Sequence, residues 1–186
     1  MKKLFWIDLE MTGLDEKNDH ILEVAVVITD LDLKPLEQLH RIVYQPPEVV
    51  AGMNDWCKKT HGESGLTAAI PNGTPLATVE KEMLGLIERH YASNDRVVLC
   101  GNSVGNDKRF VDAYLPTVAN RLHYRLVDVS SFKEIFRDKY RLYFKKGGGH
   151  RAVDDILESI EELKYYLSFL DPAKLAAAAN SGGGPS

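Results

Sequence analysis

Three strand-like segments in the first 44 residues constrain the fold more than any other feature of the chain. Residues 4–7 are apolar and aromatic, residues 23–29 are dominated by valine, isoleucine and alanine, and residues 39–44 form a third candidate strand. Such runs are typical of strands that are covered on both faces. The connections are short and carry turn residues at Gly13 and Pro35, so neighbouring strands are expected to pair. The sheet is therefore predicted to begin with three antiparallel strands.

Helices alternate with strands in the rest of the chain. The patterns predict helices over residues 54–61, 63–70, 76–90, 108–115 and 152–170, and strands over residues 97–100 and 125–129. In the last helix one buried face is predicted from Ile156, Ile160, Leu163 and Leu167. The fold class is therefore α/β, with a mixed five-stranded sheet of three antiparallel and then parallel strands, flanked by helices.

Length and composition describe one ordinary globular domain. The chain has 186 residues, of which we assign residues 1–173 to the domain and residues 174–186 to a disordered tail. The net charge of −4 gives no protein-wide field for long nucleic acid, and positive charge is concentrated only between residues 101 and 151. Two cysteines are too few for a disulfide framework, and the apolar N-terminal run is too short for a signal peptide or membrane span. We therefore expect a cytoplasmic protein without membrane contact.

Two acids interrupt the apolar N-terminal strand. Asp8 and Glu10 are two residues apart, and residues i and i+2 of a strand project from the same face. One interpretation is a strand end that becomes a solvated loop. The other is a pair of oxygen ligands for Mg²⁺ or Mn²⁺, since a cation removes the repulsion between the carboxylates.

Further acids and a histidine follow other predicted elements. Asp107 lies near the start of a predicted helix. One interpretation is that its charge interacts favourably with the helix dipole. The other is that it belongs to a site at the carboxyl ends of the strands. Three glycines lead to His150, and Asp154 and Asp155 open the last helix, where acids can also act as caps. Together these groups match two-metal phosphoryl transfer, with carboxylates holding two cations about 4 Å apart and a histidine as general base.

Three motifs resemble the DEDDh family of 3′-5′ exonucleases, and within it the oligoribonucleases: IDLEMTGL at residues 7–14, GNS at residues 101–103 with Asp107, and HRAVDD at residues 150–155. The match extends from about residue 4 to residue 170. The resemblance implies a ribonuclease H-like fold, two Mg²⁺ or Mn²⁺ ions and a homodimer. It also implies hydrolysis of very short RNAs, especially 5′-phosphorylated dinucleotides, from the 3′ end to 5′-mononucleotides.

The resemblance also assigns the catalytic centre. Its members are the metal ligands Asp8, Glu10, Asp107 and Asp155 and the general base His150. The spacing His-x-Ala-x-x-Asp selects Asp155 rather than its neighbour Asp154.

Eight substrate-binding positions follow from the same resemblance. Leu14 matches a residue wedged between two bases, and Trp56 matches an aromatic on which one base stacks. Candidates for binding the 5′ phosphate are Ser103, Arg125, Ser130 and Ser131. His61 and Tyr124 resemble a pair that meets across the homodimer interface. From the residues alone, core positions are the alternative for Trp56 and Tyr124.

Two other functions fit parts of the pattern. A DEDDh DNA 3′ exonuclease of the proofreading type shares the four acids and the histidine, although Trp56, His61 and the serines near Asp128 favour the RNA enzyme. A non-catalytic nucleic-acid-binding domain keeps the fold without the chemistry, but all five catalytic positions hold suitable residues. Comparing turnover of a dinucleotide with that of a long strand distinguishes the RNA enzyme from the DNA exonuclease. Metal-dependent release of mononucleotides would exclude the non-catalytic domain.

Overall fold

The computed structural model describes residues 3–145, 147 and 151–180, and its centre is a five-stranded sheet. The strands are β1 (Leu4–Met11), β2 (Ile21–Thr29), β3 (Pro35–Ile42), β4 (Val97–Gly101) and β5 (Leu122–Asp128). Their order is β3-β2-β1-β4-β5. The β1–β2 and β2–β3 pairs are antiparallel, and the β1–β4 and β4–β5 pairs are parallel. The predicted mixed sheet is confirmed.

Helices cover both faces of this sheet. They are α1 (Pro47–Ala51), α2 (Asp55–Glu63), α3 (Leu66–Ala69), α4 (Leu76–His90), α5 (Gly105–Tyr114), α6 (Pro116–Ala119), α7 (Val129–Tyr140), α8 (Ala152–Leu167) and α9 (Pro172–Asn180). The predicted helix over residues 63–70 is shorter, because Gly65 adopts a left-handed conformation (φ 79°) before α3. Among the described residues, no helix has the length and apolar character needed to cross a membrane.

The side chains of β1 alternate between two hydrophobic layers. Phe5, Ile7 and Leu9 belong to the layer formed with α4 and α5. Trp6 belongs to the layer formed with α8. Burial of each large apolar side chain contributes about 1.5–3 kcal/mol, which fixes the register of the strand. Asp8 and Glu10 continue the alternation from Trp6, so they lie on the face that α8 covers.

The apolar face of α8 differs from the prediction at its C-terminal end. Ile156, Ile160 and Leu163 are buried as predicted, but Leu167 is 38% exposed and Tyr166 is buried in its place. A spacing of three residues after Leu163 continues the helical face as well as a spacing of four. The Tyr166 hydroxyl donates to Glu162 Oε1 at 3.1 Å, so its polar end is satisfied inside the protein.

The C-terminal segment also differs from the prediction in its first part. Residues 174–180, the first part of the segment expected to be disordered, belong to helix α9 (Pro172–Asn180). Asp171 caps this helix by accepting the backbone N–H of Ala173 at 2.9 Å. The consecutive alanines explain the difference, because alanine has the highest helix propensity. Residues 181–186 lie outside the described residues.

Candidate active site

Three carboxylates from two elements converge on the α8 face of the sheet. Asp8 and Glu10 come from β1, and Asp155 comes from the first turn of α8. One oxygen atom of each lies within 4.8 Å of the other two. The strand alternation and the packing of α8 against the Trp6 layer bring these acids together. A set of hard oxygen donors at such distances can hold a divalent cation.

Asp107 supplies a fourth carboxylate from the first turn of α5. Its side chain is buried, and Oδ1 accepts the backbone N–H of Leu9 at 2.9 Å. Leu9 lies between Asp8 and Glu10, so this bond fixes the start of α5 to the part of β1 that carries the acids. The charge of Asp107 also helps to raise the pKa of Asp8. Asp107 therefore borders the group of three rather than standing apart from it.

The carboxyls in this cluster oppose one another's ionisation. Burial raises the pKa of Asp8 well above its usual range, and the charges of Asp107 and Glu10 add to the effect. Burial raises the pKa of Glu10 to about 7, with the charge of Glu23 as the next cause. Burial also raises the pKa of Asp107 to about 7. A bound cation would reverse these effects, so the residues present fit a divalent metal.

Helix α8 presents Asp155, and not Asp154, to the cluster. The Asp155 backbone N–H donates to the Arg151 carbonyl at 3.0 Å, which closes the first turn. The preceding side chain is rotated by about 100° around the helix, and Asp154 is exposed. This geometry agrees with the motif spacing, which selected Asp155 rather than Asp154 as the metal ligand. The predicted base, His150, lies outside the described residues.

Glu23 on β2 is a site-lining acid that the sequence analysis did not single out. It is fully buried directly opposite Glu10 in the β1–β2 pair. Its Oε1 lies 2.5 Å from His40 Nε2 and 3.1 Å from Arg151 Nη2. The signal in the sequence was one acid inside an apolar strand, since carboxylates are almost never fully buried unless they are paired.

A cleft of about 460 Å³ begins beside Glu10 and is lined by Leu14 and Trp56. These two apolar side chains are 64% and 68% exposed, which excludes the core position considered for Trp56. Asn54 caps α2 by accepting the Cys57 N–H at 2.8 Å and thereby places Trp56 in the first turn of the helix. Exposed side chains of this kind can pack and stack on planar bases.

The turn that presents Leu14 is held by Asp19. Asp19 Oδ1 accepts the Thr12 hydroxyl at 2.8 Å, and Oδ2 accepts the Asp15 N–H at 2.9 Å. A Cβ atom at position 13 would lie 2.4 Å from Asp19 Oδ2. Gly13 is therefore needed for the close approach of the turn to the Asp19 carboxylate.

His61 lies inside the protein rather than on its surface. The ring is 2% exposed, and Nε2 donates to the Met11 carbonyl at 2.9 Å. Its Nδ1 lies 3.9 Å from Glu10 Oε2. Within one chain His61 thus supports the end of β1 and faces Glu10.

The structure brings Ser103 and Ser130 together where β4 and β5 end. Ser103 has a positive φ of 51°, and its N–H donates to Ser130 Oγ at 2.7 Å and to Asp128 Oδ1 at 2.9 Å. The two serine hydroxyls are 3.1 Å apart. Asp128 was not among the predicted site residues, although it holds this pair in place. Ser131 is exposed one position further along α7.

Arg125 and Tyr124 lie on β5, away from the two serines. The Arg125 guanidinium lies 5.3 Å from the centre of the Tyr124 ring, and Tyr124 is 77% exposed, which excludes the core alternative. Arg125 lines a separate cavity of about 570 Å³ together with Lys3 and Arg96. Among the described residues, Arg125 makes no hydrogen bond to Ser103 or Ser130.

Comparison with known proteins gives three findings. Residues 5–163 match the exonuclease family. The mitochondrial oligoribonuclease of Homo sapiens is 46% identical over 180 residues, which cover 94% of this chain and 76% of that protein. The oligoribonuclease of Pseudomonas aeruginosa is 42% identical over 170 residues, which cover 89% of this chain and 94% of that protein.

A solved structure agrees in fold. Exonuclease I from Methylocaldum szegediense is similar with a TM-score of 0.71 at 15% identity, over 91% of this chain and 41% of that chain. This chain therefore spans about two fifths of that protein, and the likeness shows the ribonuclease H-like exonuclease fold. The family match includes all four acids of the site, Asp8, Glu10, Asp107 and Asp155. Because the relatives are also similar over most of their length, the chain belongs to the exonuclease family and, within it, to the oligoribonucleases.

Proposed function

We propose that the acidic cluster hydrolyses very short RNAs from the 3′ end, with 5′-phosphorylated dinucleotides as the preferred substrates. As a member of the oligoribonucleases, the chain is a 3′-5′ exoribonuclease. One observation carries the proposal on substrate length: the carboxylates adjoin a cleft of about 460 Å³ that offers two exposed apolar side chains, Leu14 and Trp56. This volume suits a small ligand. The negative net charge supports a short substrate over a long strand.

Four carboxylates, those of Asp8, Glu10, Asp107 and Asp155, are proposed to hold two divalent cations, Mg²⁺ or Mn²⁺. Such ions, when bound, supply a hydroxide nucleophile at neutral pH and stabilise the leaving oxygen. The protein's own contribution is to hold the carboxylates in place against their mutual repulsion. The Leu9 N–H fixes Asp107, and the first turn of α8 fixes Asp155. The bond that breaks joins phosphorus to the 3′ oxygen of the penultimate nucleotide, so the terminal nucleotide leaves with its 5′ phosphate.

His150 is proposed to take the proton from the attacking water. A histidine has a reference pKa of about 6.5, which suits a general base at neutral pH. Its position in the sequence supports the role, because it immediately precedes Arg151, which contacts Glu23 beside the cluster. Asp155, which joins the cluster, follows five residues later.

The other substrate contacts are proposed to come from two groups of residues. Leu14 and Trp56 hold the bases by packing and stacking, which is worth about 1–3 kcal/mol per stacked base. Ser103, Ser130, Ser131 and Arg125 bind the 5′ phosphate. The short distance between the Ser103 and Ser130 hydroxyls supports this group. Arg125 is three residues before Asp128 on the same strand, about 10 Å along it, so a shift of its long side chain is required.

A homodimer is also proposed, with Tyr124 in the interface. Among the described strands, β5 is an edge strand that pairs only with β4, and its residue Tyr124 is strongly exposed. Unpaired strand edges with exposed aromatic residues are favourable association surfaces. We further propose a cytoplasmic location, since both cysteines are free and buried, which is compatible with a reducing compartment.

The proposed function is tested by a time course on 5′-labelled RNAs of two to seven nucleotides, in Mg²⁺, in Mn²⁺ and in excess chelator. We expect metal-dependent release of 5′-mononucleotides and a steep preference for the dinucleotide. A DNA oligonucleotide and a long RNA serve as controls. Equal turnover of long strands would favour the proofreading-type exonuclease instead, and full turnover in chelator would refute the two-metal proposal.

A further inference from the structure

Glu23 occupies a position that the stability of the core does not explain. It is fully buried, and its Oε2 atom has no hydrogen-bond partner among the residues that the structure describes. Buried charges are costly, and a well-packed apolar residue is often as stable or more stable in such a place. The side chain also lies next to other acids and raises the pKa of Glu10. A carboxylate at this position therefore destabilises the folded protein, which indicates that Glu23 serves the site rather than the stability of the core.

The hydrogen bonds that the Glu23 side chain makes with the described residues involve its other oxygen atom, Oε1. Oε1 lies 2.5 Å from His40 Nε2 on β3, and it accepts from Arg151 Nη2 at 3.1 Å and from Arg151 Nε at 3.3 Å. Arg151 immediately precedes α8 and provides its N-cap position, without a side-chain hydrogen bond that caps the helix. Glu23 thus joins β2, β3 and the start of α8.

The backbone of Arg151 is bonded to that of Asp155, the candidate metal ligand in α8. The Arg151 carbonyl accepts the Asp155 N–H at 3.0 Å, so the backbone positions of the two residues are linked in one helical turn. A second attachment holds α8 further along, where Asn102 Nδ2 donates to Ser159 Oγ at 2.8 Å and to Glu162 Oε2 at 3.0 Å. The first attachment is the one next to the acidic cluster.

We propose that Glu23 and Arg151 are positioning residues: their ion pair fixes the first turn of α8 on the sheet and thereby sets the place of Asp155 beside Asp8 and Glu10. This inference rests on the proposed function, because its consequence is cation binding by the cluster. Partners that orient ligands typically change metal affinity by about 10- to 100-fold when removed. Arg151 acts through Asp155 and is not itself assigned a contact with the reacting atoms.

Charge and position predict opposite results for removal of Arg151. The guanidinium opposes the pKa rise of Glu10, so it is close enough to repel a cation in the cluster. If Arg151 acted only through its charge, Arg151→Met would tighten cation binding. If Arg151 positions Asp155, the same variant binds the cation more weakly.

The experiment is a Mn²⁺ titration of the protein without substrate, followed by the rise in Tm, together with kcat and KM for a 5′-phosphorylated dinucleotide at saturating Mn²⁺. We expect Arg151→Met to need about 10- to 100-fold more Mn²⁺ for half of the full Tm rise, with KM within about threefold of wild type. Arg151→Lys, which keeps the charge but not the planar fork, should recover part of the affinity. Arg89→Met is the control, because Arg89 also joins a helix to the sheet through two hydrogen bonds to one carboxylate, Glu37 (2.6 Å), between α4 and β3, although this ion pair is more exposed.

A second variant keeps the test valid if Arg151→Met does not fold. The double variant Glu23→Gln with Arg151→Gln removes both charges together, so no unpaired buried carboxylate remains and the net charge near the cluster is unchanged. We expect the same loss of Mn²⁺ affinity. Unchanged or tighter Mn²⁺ binding, or a rise in KM alone, would overturn the inference. Wild-type protein whose activity does not require a metal would instead refute the proposed function.

Discussion

Neutralising Asp107 is expected to stabilise the metal-free protein while abolishing its activity. Asp107→Asn removes the charge but keeps a carbonyl oxygen that accepts the Leu9 N–H, so the link between α5 and β1 is retained. Burial raises the pKa of Asp107 to about 7, compared with about 3.9 in an unfolded chain. The folded state therefore holds a proton at Asp107 at pH values where the unfolded chain has lost it.

The direction of the pH dependence follows from this difference. Between about pH 4 and pH 7 the unfolded state binds fewer protons, so the unfolding free energy falls as the pH rises. At about 1.36 kcal/mol per pKa unit, Asp107 alone costs the metal-free protein up to about 4 kcal/mol above pH 7. Glu10, whose pKa burial also raises to about 7, titrates in the same range. Because the two groups interact, their costs are not simply added.

Urea unfolding at pH 5, 6, 7 and 8 in excess chelator measures this effect. Wild type should lose stability mainly between pH 5 and pH 7 and level off towards pH 8. Asp107→Asn should lose less, so that the variant is the more stable protein at pH 8. Asp154→Asn, which removes an exposed neighbouring acid of Asp155, is the control and should follow wild type. Added Mn²⁺ should stabilise wild type most at pH 8, since the cation binds the ionised carboxylates. Wild-type stability that is flat or rises between pH 5 and pH 8 would refute the reasoning.

Three further predictions concern single positions. Asp155→Asn should abolish turnover of the dinucleotide, whereas Asp154→Asn should keep most of it, and steady-state kinetics with equal losses in both would contradict the geometry of α8. Trp56→Ala should weaken dinucleotide binding by about 1–3 kcal/mol in a competition assay and leave the Tm nearly unchanged, because the side chain is largely exposed. Tyr124→Ala should shift the protein towards the monomer in analytical ultracentrifugation; an unchanged sedimentation coefficient would remove this residue from the proposed interface.

The sequence was sufficient for the features that depend on local pattern. The two-residue spacing of Asp8 and Glu10 placed them on one face of a strand, and short connections identified the antiparallel start of the sheet. The prediction for the end of the buried face of α8 was wrong, because Tyr166 and Leu167 both fit the helical repeat and Tyr166 is the buried residue. Only packing against the neighbouring elements selects one of them.

Contacts between residues that are distant in the sequence could not be predicted from the local sequence pattern. Glu23 and Arg151 are 128 positions apart in the sequence. Their pairing depends on the antiparallel register between β1 and β2 and on where the first turn of α8 packs against the sheet. For the same reason the sequence did not indicate that His61 is buried behind Glu10. The separation of Arg125, on β5, from the pair Ser103 and Ser130, where β4 and β5 end, likewise required the tertiary structure.

The acidic cluster and the hydrophobic core are linked by the same strand. The register that buries Phe5 and Trp6 in opposite layers also forces Asp8 and Glu10 under α8, where their ionisation is opposed. A shift of β1 by one residue would release the acids to the other face, but it would also exchange the two core layers. Burial of apolar groups on both faces of the sheet therefore holds the carboxylates together against their repulsion. A divalent cation that relieves this repulsion adds its binding energy to a fold that already has the required arrangement.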